Sequence, residues 1–320
     1  MLSRRHLRVK VLQALYAYFQ SGNSDMLLGE KQLLLSINKL HELFFWQFSF
    51  LIEVTRFAEQ RLEENRHKHF PTAEDLNPSL NFVQNKLLTA INDNRDFRKK
   101  EDLYKINWSQ EQEMVRKFYQ LLRETPDYDQ YIKLENPTFA VDKKFVITII
   151  EKLFTDFELL ESFYEEKSIY FVDDFHLVSE LMIKFLKFFD KDFTALTKFP
   201  GIYRTDNDEV NEDLVFVKDL FRKTIGHSEE YGELIAGYTS NWEQERIAVM
   251  DMLILKIALT ELVEFKSIPV KVSMNEYIEI SKYFSTNRSS VFINGILDKM
   301  IQDFKKEGRI VKTGRGLLDE

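Results

Sequence analysis

The chain has 320 residues, 10 Gly, 6 Pro, no Cys and a formal net charge of −8. So few turn formers argue against a sandwich, barrel or propeller, and without cysteine there is no disulfide, thiolate nucleophile or Cys-ligated zinc. No apolar run reaches the roughly 18 residues of a membrane span, and the opening Met1 to His6 is not followed by the apolar region of a secretory signal, so a cytoplasmic protein is expected.

The charge is uneven. Residues 1–24 hold Arg4, Arg5, Arg8 and Lys10 and no acid, and a smaller basic cluster, Lys305, Lys306, Arg309, Lys312 and Arg315, closes the chain. Residues 2–21 read as a helix whose apolar face is Leu7, Val11, Leu15 and Tyr18, stopped at Gly22. Its arginines sit at the end of the helix dipole that disfavours cations, which points to an external anionic partner; a solvated basic start is the plainer reading. No Gly occurs between Gly29 and Gly201, as expected of long helices. Residues 30–67, rich in aromatics from Phe44 to Phe50, predict one long helix, or two with little loop between. His67 and His69, two apart, would not share a helix face, so no metal site is read there. Pro71 and Pro78 bracket a loop, and helices follow at 79–94 and 109–124.

Val146, Ile150, Leu153, Phe157, Leu160 and Tyr164 alternate 4, 3, 4, 3, 4, a core stripe on a helix over 142–166. Residues 174–189 predict another helix. Pro200-Gly201 and Arg204 to Asp208 form the clearest linker. Beyond it, helices are expected at 209–225, 228–240, 243–263, from Ser273 to about 284, and at 289–306. The third is apolar almost all round and so central. Ser273 with Glu276 reads as a capping box. Five helices with short connections make a compact bundle.

No phosphate-binding glycine loop, nucleophile elbow or H-E-x-x-H motif is present, and the six histidines show no ligand spacing. The carboxylates read as solubilising charge on polar faces. No catalytic constellation, metal or cofactor is expected.

The segment from Trp242 to Met300 resembles the NusB family of bacterial transcription antitermination factors. The pieces that carry the likeness are Arg246-Ile247, Asp251 to Leu262, Ile268 to Glu276, Glu279 to Phe284, and Phe292 to Asp298. Leu214 to Tyr231 resembles the family's third helix, and Arg4 to Tyr16, ending Q-A-L-Y, its arginine-rich first helix. The resemblance implies an all-α, NusB-like helical bundle, with a large helical insertion in the N-terminal half because ordinary members are shorter. The domains are then 1–24 (basic N-terminal helix), 25–205 (insertion), 206–306 (C-terminal bundle) and 307–320 (basic, flexible tail).

The resemblance also implies roles. The family binds boxA-type single-stranded RNA together with the small-subunit ribosomal protein NusE, within an antitermination complex on RNA polymerase that keeps rRNA transcription processive. Such RNA needs phosphate neutralisation and stacking surfaces. Arg4, Arg5, His6 and Arg8 would supply the first; Tyr231, Phe284 and Phe292 would offer rings, with helix packing the alternative for Tyr231 and at least as fitting for Phe292, which belongs to the last helix's apolar stripe. Arg288, where many members carry an acid, would add charge, and Ser289 would donate to phosphate or cap a helix. Tyr16 would touch the ribosomal protein. Asn294-Gly295 reads as structural, the Gly permitting close helix approach. Monomer and homodimer stay open, since relatives differ. Two other classes compete. An RNA methyltransferase would need a nucleophilic Cys and an α/β domain; a protein-only scaffold would have lost RNA binding.

Overall fold

The computed structural model describes residues 2–22, 24–189, 192–203, 211–239, 248–286 and 288–318, and every regular element among them is helical. The helices are α1 (Arg4–Gln20), α2 (Met26–Arg66), α3 (Ala73–Leu76), α4 (Lys86–Asn92), α5 (Arg95–Tyr104), α6 (Gln112–Arg123), α7 (Pro126–Ile132), α8 (Phe139–Ile149), α9 (Glu158–Lys167) and α10 (Phe175–Phe188). Then come α11 (Glu212–Gly226), α12 (Ser228–Tyr238), α13 (Val249–Glu264), α14 (Val270–Phe284) and α15 (Ser289–Lys306). No helix is long and apolar enough to cross a membrane among the described residues.

Two compact units divide the chain: Met1–Ile37 with Gly201–Glu320, and Asn38–Pro200. The first boundary falls later than position 24 because α2 is a single 41-residue helix. Its opening turns bury Glu30, Leu33 and Ile37, and Glu30 is bound by Arg222 and lies 3.6 Å from Lys218. The second falls between Pro200 and Gly201; Arg204 to Asp208 lie outside the described residues.

In the first unit, α1 starts with a reciprocal cap. Ser3 Oγ accepts the His6 N–H at 3.4 Å, and His6 Nδ1 accepts the Ser3 N–H at 3.2 Å, the histidine standing where Glu or Gln is usual. Leu7, Val11, Leu15 and Tyr18 are all buried. The helix ends with Ser21 as cap and Gly22 at φ +63°, a left-handed conformation that favours glycine. Gly29 on α2 fills a tight crossing: a Cβ there would lie 2.9 Å from the Tyr18 ring of α1 and 2.9 Å from the Phe221 ring of α11. As expected of an all-round apolar helix, α13 is central and packs against α1, α11, α12, α14 and α15.

Three local readings change here. The helix expected from 243 is described from Val249, with Trp242 and Arg246-Ile247 outside the described residues. No capping box opens α14: it begins at Val270 after Pro269, whose ring fixes the backbone angle at a helix start, and Ser273 is fully buried inside it. Gly295 is not at a close approach; a Cβ there would meet nothing within 4 Å. The closing segment is also held rather than loose. The Thr313 N–H donates to Lys266 O at 2.9 Å, Lys312 Nζ donates to Phe265 O at 3.0 Å, and Gly316 lies so near Lys266 O that a Cβ would come within 2.2 Å.

The second unit has an aromatic core. Phe44, Phe45, Trp46, Phe48 and Phe50 of α2 are buried, with Trp46 and Phe50 packing on Trp108 and Phe44 on Phe185 and Phe199. The stripe over 142–166 is not carried by one helix. A π-helical turn, Ile150–Phe154, separates α8 from α9; the extra residue shifts the phase, so Phe154 is buried in place of Leu153. The stretch 79–94 is helical only over α4, and the short α3, α5 and α7 were not read from the sequence. Trp46 Nε1 and the Tyr164 hydroxyl are buried in this unit without a hydrogen-bond partner among the described residues, whereas other buried polar groups are paired. Asn85 caps α4 and donates to the Tyr131 hydroxyl at 3.0 Å; that hydroxyl donates to Asp142 at 2.7 Å. His41 Nδ1 lies 2.8 Å from the Tyr104 hydroxyl and Nε2 3.3 Å from Pro200 O. A carbonyl only accepts, so Nε2 carries the proton. Burial pushes the His41 pKa down to about 4.

Candidate nucleic-acid interface

The α1 arginines meet their anions inside the chain. Arg8 is 3 % exposed. Its guanidinium donates through Nε and Nη2 to both Glu261 carboxylate oxygens at 2.7 Å, the two-point geometry that suits Arg and carboxylate best. Glu261, fully buried on α13, also accepts from Ser273 Oγ at 2.7 Å and the Tyr277 hydroxyl at 2.9 Å. Burial disfavours the charged guanidinium, but attraction and hydrogen bonding by Glu261 more than offset this, and the Arg8 pKa stands above its usual value. Burial, with Glu261 nearby, drives the Tyr277 hydroxyl well up. The expectation that Arg8 lends charge to RNA is therefore replaced: its charge is spent on joining α1 to α13 and α14.

Arg5 and Arg4 differ. Arg5, half-exposed, donates to Glu276 through Nε at 2.8 Å and Nη2 at 2.7 Å. This hydrogen bond raises the Arg5 pKa and holds the Glu276 carboxyl below its usual range. Arg4, also part-exposed, donates to Asp213 at 3.2 Å, lies 3.6 Å from Glu212, and stacks 5.1 Å from the Phe216 ring centre. Both keep guanidinium surface in water. His6 is partly exposed and its Nδ1 is taken up by the cap.

At the α14–α15 connection, Phe284 and Phe292 are half-buried and Arg288 is exposed; Asn287 lies outside the described residues. Ser289 is 1 % exposed and donates to Asp251 at 2.8 Å. That bond ties α15 to the start of α13 and removes Ser289 from contact with a phosphate. Tyr231 is 1 % exposed, stacked against His227 at 5.2 Å between centres, and burial pushes its hydroxyl up to about 12. A base has no access to that ring, so packing is its role. Tyr16 is 40 % exposed, with Phe19 beside it at 38 %.

The expected residues are thus not one cluster. Asp251, beside the 285–290 loop, and Glu264, whose charge reaches Tyr231, are 13 residues apart on α13, roughly 20 Å at the helical rise. The structure brings together Arg4, Arg5 and Arg8 at one place, and Phe284, Arg288 and Phe292 at another. Sequence reasoning missed the buried acids Asp213, Asp251, Glu261 and Glu30. The signal was available: Glu261 falls inside the most apolar run of the chain, where a carboxylate must find a partner. No group of three or more His, Asp or Glu is arranged to hold a metal among the described residues, and His67 lies 3.0 Å from Glu63 just past the end of α2.

Comparison with known proteins gives the family. The model of the NusB family matches residues 186–302, which takes in α11 to α14 and most of α15. The Transcription antitermination protein NusB of Salinibacter ruber (strain DSM 13855 / M31) is 45 % identical over 124 residues, 39 % of this chain and 74 % of that protein. The chain belongs to the NusB family. Proteins of the same name from Chloroherpeton thalassium (strain ATCC 35110 / GB-78) and Natranaerobius thermophilus (strain ATCC BAA-1301 / DSM 18059 / JW/NM-WN-LF) are 39 % identical over 104 residues and 34 % over 91. The matches cover 32 % of this chain and 49 % of the first, and 28 % of this chain and 66 % of the second, so the chain spans about half to two thirds of their lengths. No solved structure matches. The buried anchors Glu261 and Ser273 lie within the pieces that carry the NusB resemblance, which gives those pieces a structural meaning: they are what receives α1.

Proposed function

We propose that this NusB-family chain is a non-enzymatic transcription antitermination factor. It binds boxA-type single-stranded RNA together with the ribosomal protein NusE, within an antitermination complex on RNA polymerase that promotes processive rRNA transcription. One observation carries the RNA reading. The basic first helix folds against the bundle that bears the family match, and Arg4 and Arg5 on it still face water. Arg4, Arg5 and His6 form the phosphate-binding edge, Arg288 adds a cation at the α14–α15 loop, and Phe284 and Phe292 supply part-exposed rings on which bases stack. Tyr16 with Phe19 is the face for the ribosomal partner.

A protein-only scaffold is the second reading, favoured by one observation: Arg4, Arg5 and Arg8 are all paired with carboxylates of the chain itself. Fluorescence anisotropy with a boxA-like RNA, with and without NusE, separates the two. RNA binding should fall with salt, and Arg4→Gln/Arg5→Gln should weaken it and flatten the log–log salt slope by about one unit per lost phosphate contact. Absence of salt-sensitive binding, with or without NusE, gives the scaffold; binding whose affinity and slope are unchanged in the variant shows that the RNA face lies elsewhere.

A further inference from the structure

We propose that Glu276 is a built-in competitor of the anion at Arg5: its carboxylate occupies the guanidinium edge that a phosphate would take, and thereby sets the affinity and salt response of the α1 surface. For RNA this rests on the reading above; for phosphate it does not.

The geometry is specific. Glu276 Oε2 and Oε1 take the Nε and Nη2 hydrogens of Arg5 at 2.8 and 2.7 Å. Two parallel N–H donors facing two oxygens is how Arg binds carboxylate and phosphate alike, so the two anions exclude each other on this edge. The pair is open to exchange: the Arg5 side chain is 49 % exposed and that of Glu276 18 %. Arg8, at 3.6 Å, is a second cationic neighbour of Glu276, and His6 also favours the charged carboxylate.

The neighbouring pair shows the contrast. Glu261 grips Arg8 with the same two-point contact but is fully buried and held by Ser273 and Tyr277. No such hydroxyl clamp holds Glu276 among the described residues. One pair on the helix is therefore permanent and the other exchangeable. Exposed ion pairs are weak, so an incoming polyanion can displace this carboxylate, and the weakness of the pair limits how much affinity it withholds.

The test is Glu276→Gln, which keeps the side-chain length and one acceptor but removes the charge. Anisotropy with a labelled boxA-like RNA should show binding about two- to fivefold tighter, the scale of a surface ion pair. The salt slope should steepen by up to about one unit, because no freed carboxylate takes up a cation. In an Arg5→Gln background the same change should give no gain. Inorganic phosphate provides an arm without RNA: the Arg5 Nε–Hε signal in NMR should titrate at several-fold lower phosphate in Glu276→Gln than in the parent. An unchanged phosphate midpoint, or an RNA gain that persists in the Arg5→Gln background, overturns the competition. If the phosphate midpoint shifts while no protein binds RNA, the competition stands and the RNA reading falls. Thermal melts of the variants confirm the folded state being compared.

Discussion

Replacing Arg8 with Met separates a structural arginine from a binding one. The substitution keeps the aliphatic stem and leaves Glu261 as a buried carboxylate with Ser273 and Tyr277 as its remaining side-chain donors among the described residues. Breaking one side of a buried pair typically costs about 3–5 kcal/mol, since the remaining charge is uncompensated. Opening of the first unit should then become easier by about two to four decades. Because the second unit contains Trp46 and Trp108, tryptophan fluorescence would weigh the wrong half. Hydrogen exchange read by mass spectrometry on peptides from α1 and α14 reports the right one. Arg5→Gln, at an exposed pair, should shift the same peptides by less than about 1 kcal/mol. Adding Glu261→Gln to the Arg8 variant should recover part of the loss, since the neutral amide is cheaper to bury than the charge. If Arg8→Met changes exchange no more than Arg5→Gln does, the pair is not buried in solution and the assignment of Arg8 to structure is refuted.

Three further outcomes follow from the geometry. His41 is neutral in the folded chain and its pKa is lowered to about 4 by burial, so protonation opposes folding. Stability of the second unit should be lost as pH falls from about 6.5 toward 4, by up to roughly 3 kcal/mol; His41→Gln should flatten that dependence in melts at stepped pH, and an equally steep curve counts against it. Gly29→Ala places a methyl within 2.9 Å of the Tyr18 and Phe221 rings and should destabilise by about 1–3 kcal/mol despite better helix propensity; a gain in stability would show that the rings give way. Gly295→Ala, on an exposed helical site with open space, should stabilise by up to about 1 kcal/mol; a loss measured by α15 exchange would restore the close-approach reading.

Much of the first unit was legible because its signals are local. The spacing of Leu7, Val11, Leu15 and Tyr18 fixed the buried face of α1, and the all-round apolar texture of α13 foretold its central place. What failed were features that need a second element to make sense. Ser273 and Glu276 have capping-box spacing, yet they point to Glu261 and Arg5, 12 and 271 residues away. The α1 arginines looked unbalanced because their counter-charges are remote in sequence. In the second unit, a uniform 4-3 period concealed the π-helical turn at Ile150–Phe154, which keeps residues in the core while breaking the helix. Short helices such as α5 and α7 carry too few turns for a period to declare itself. Of the candidate site, the residue types were legible; which of them face water was not.

Arg8 and Glu261 are separated by 253 residues, and this sets an order of events on the ribosome. At synthesis rates of about 5–20 residues per second, the N-terminal helix waits roughly 13–50 s for its buried partner to be made. The stretch 38–200, contiguous in the chain, is completed within that interval. The cationic helix therefore spends its first moments without its internal anions, in the neighbourhood of ribosomal RNA.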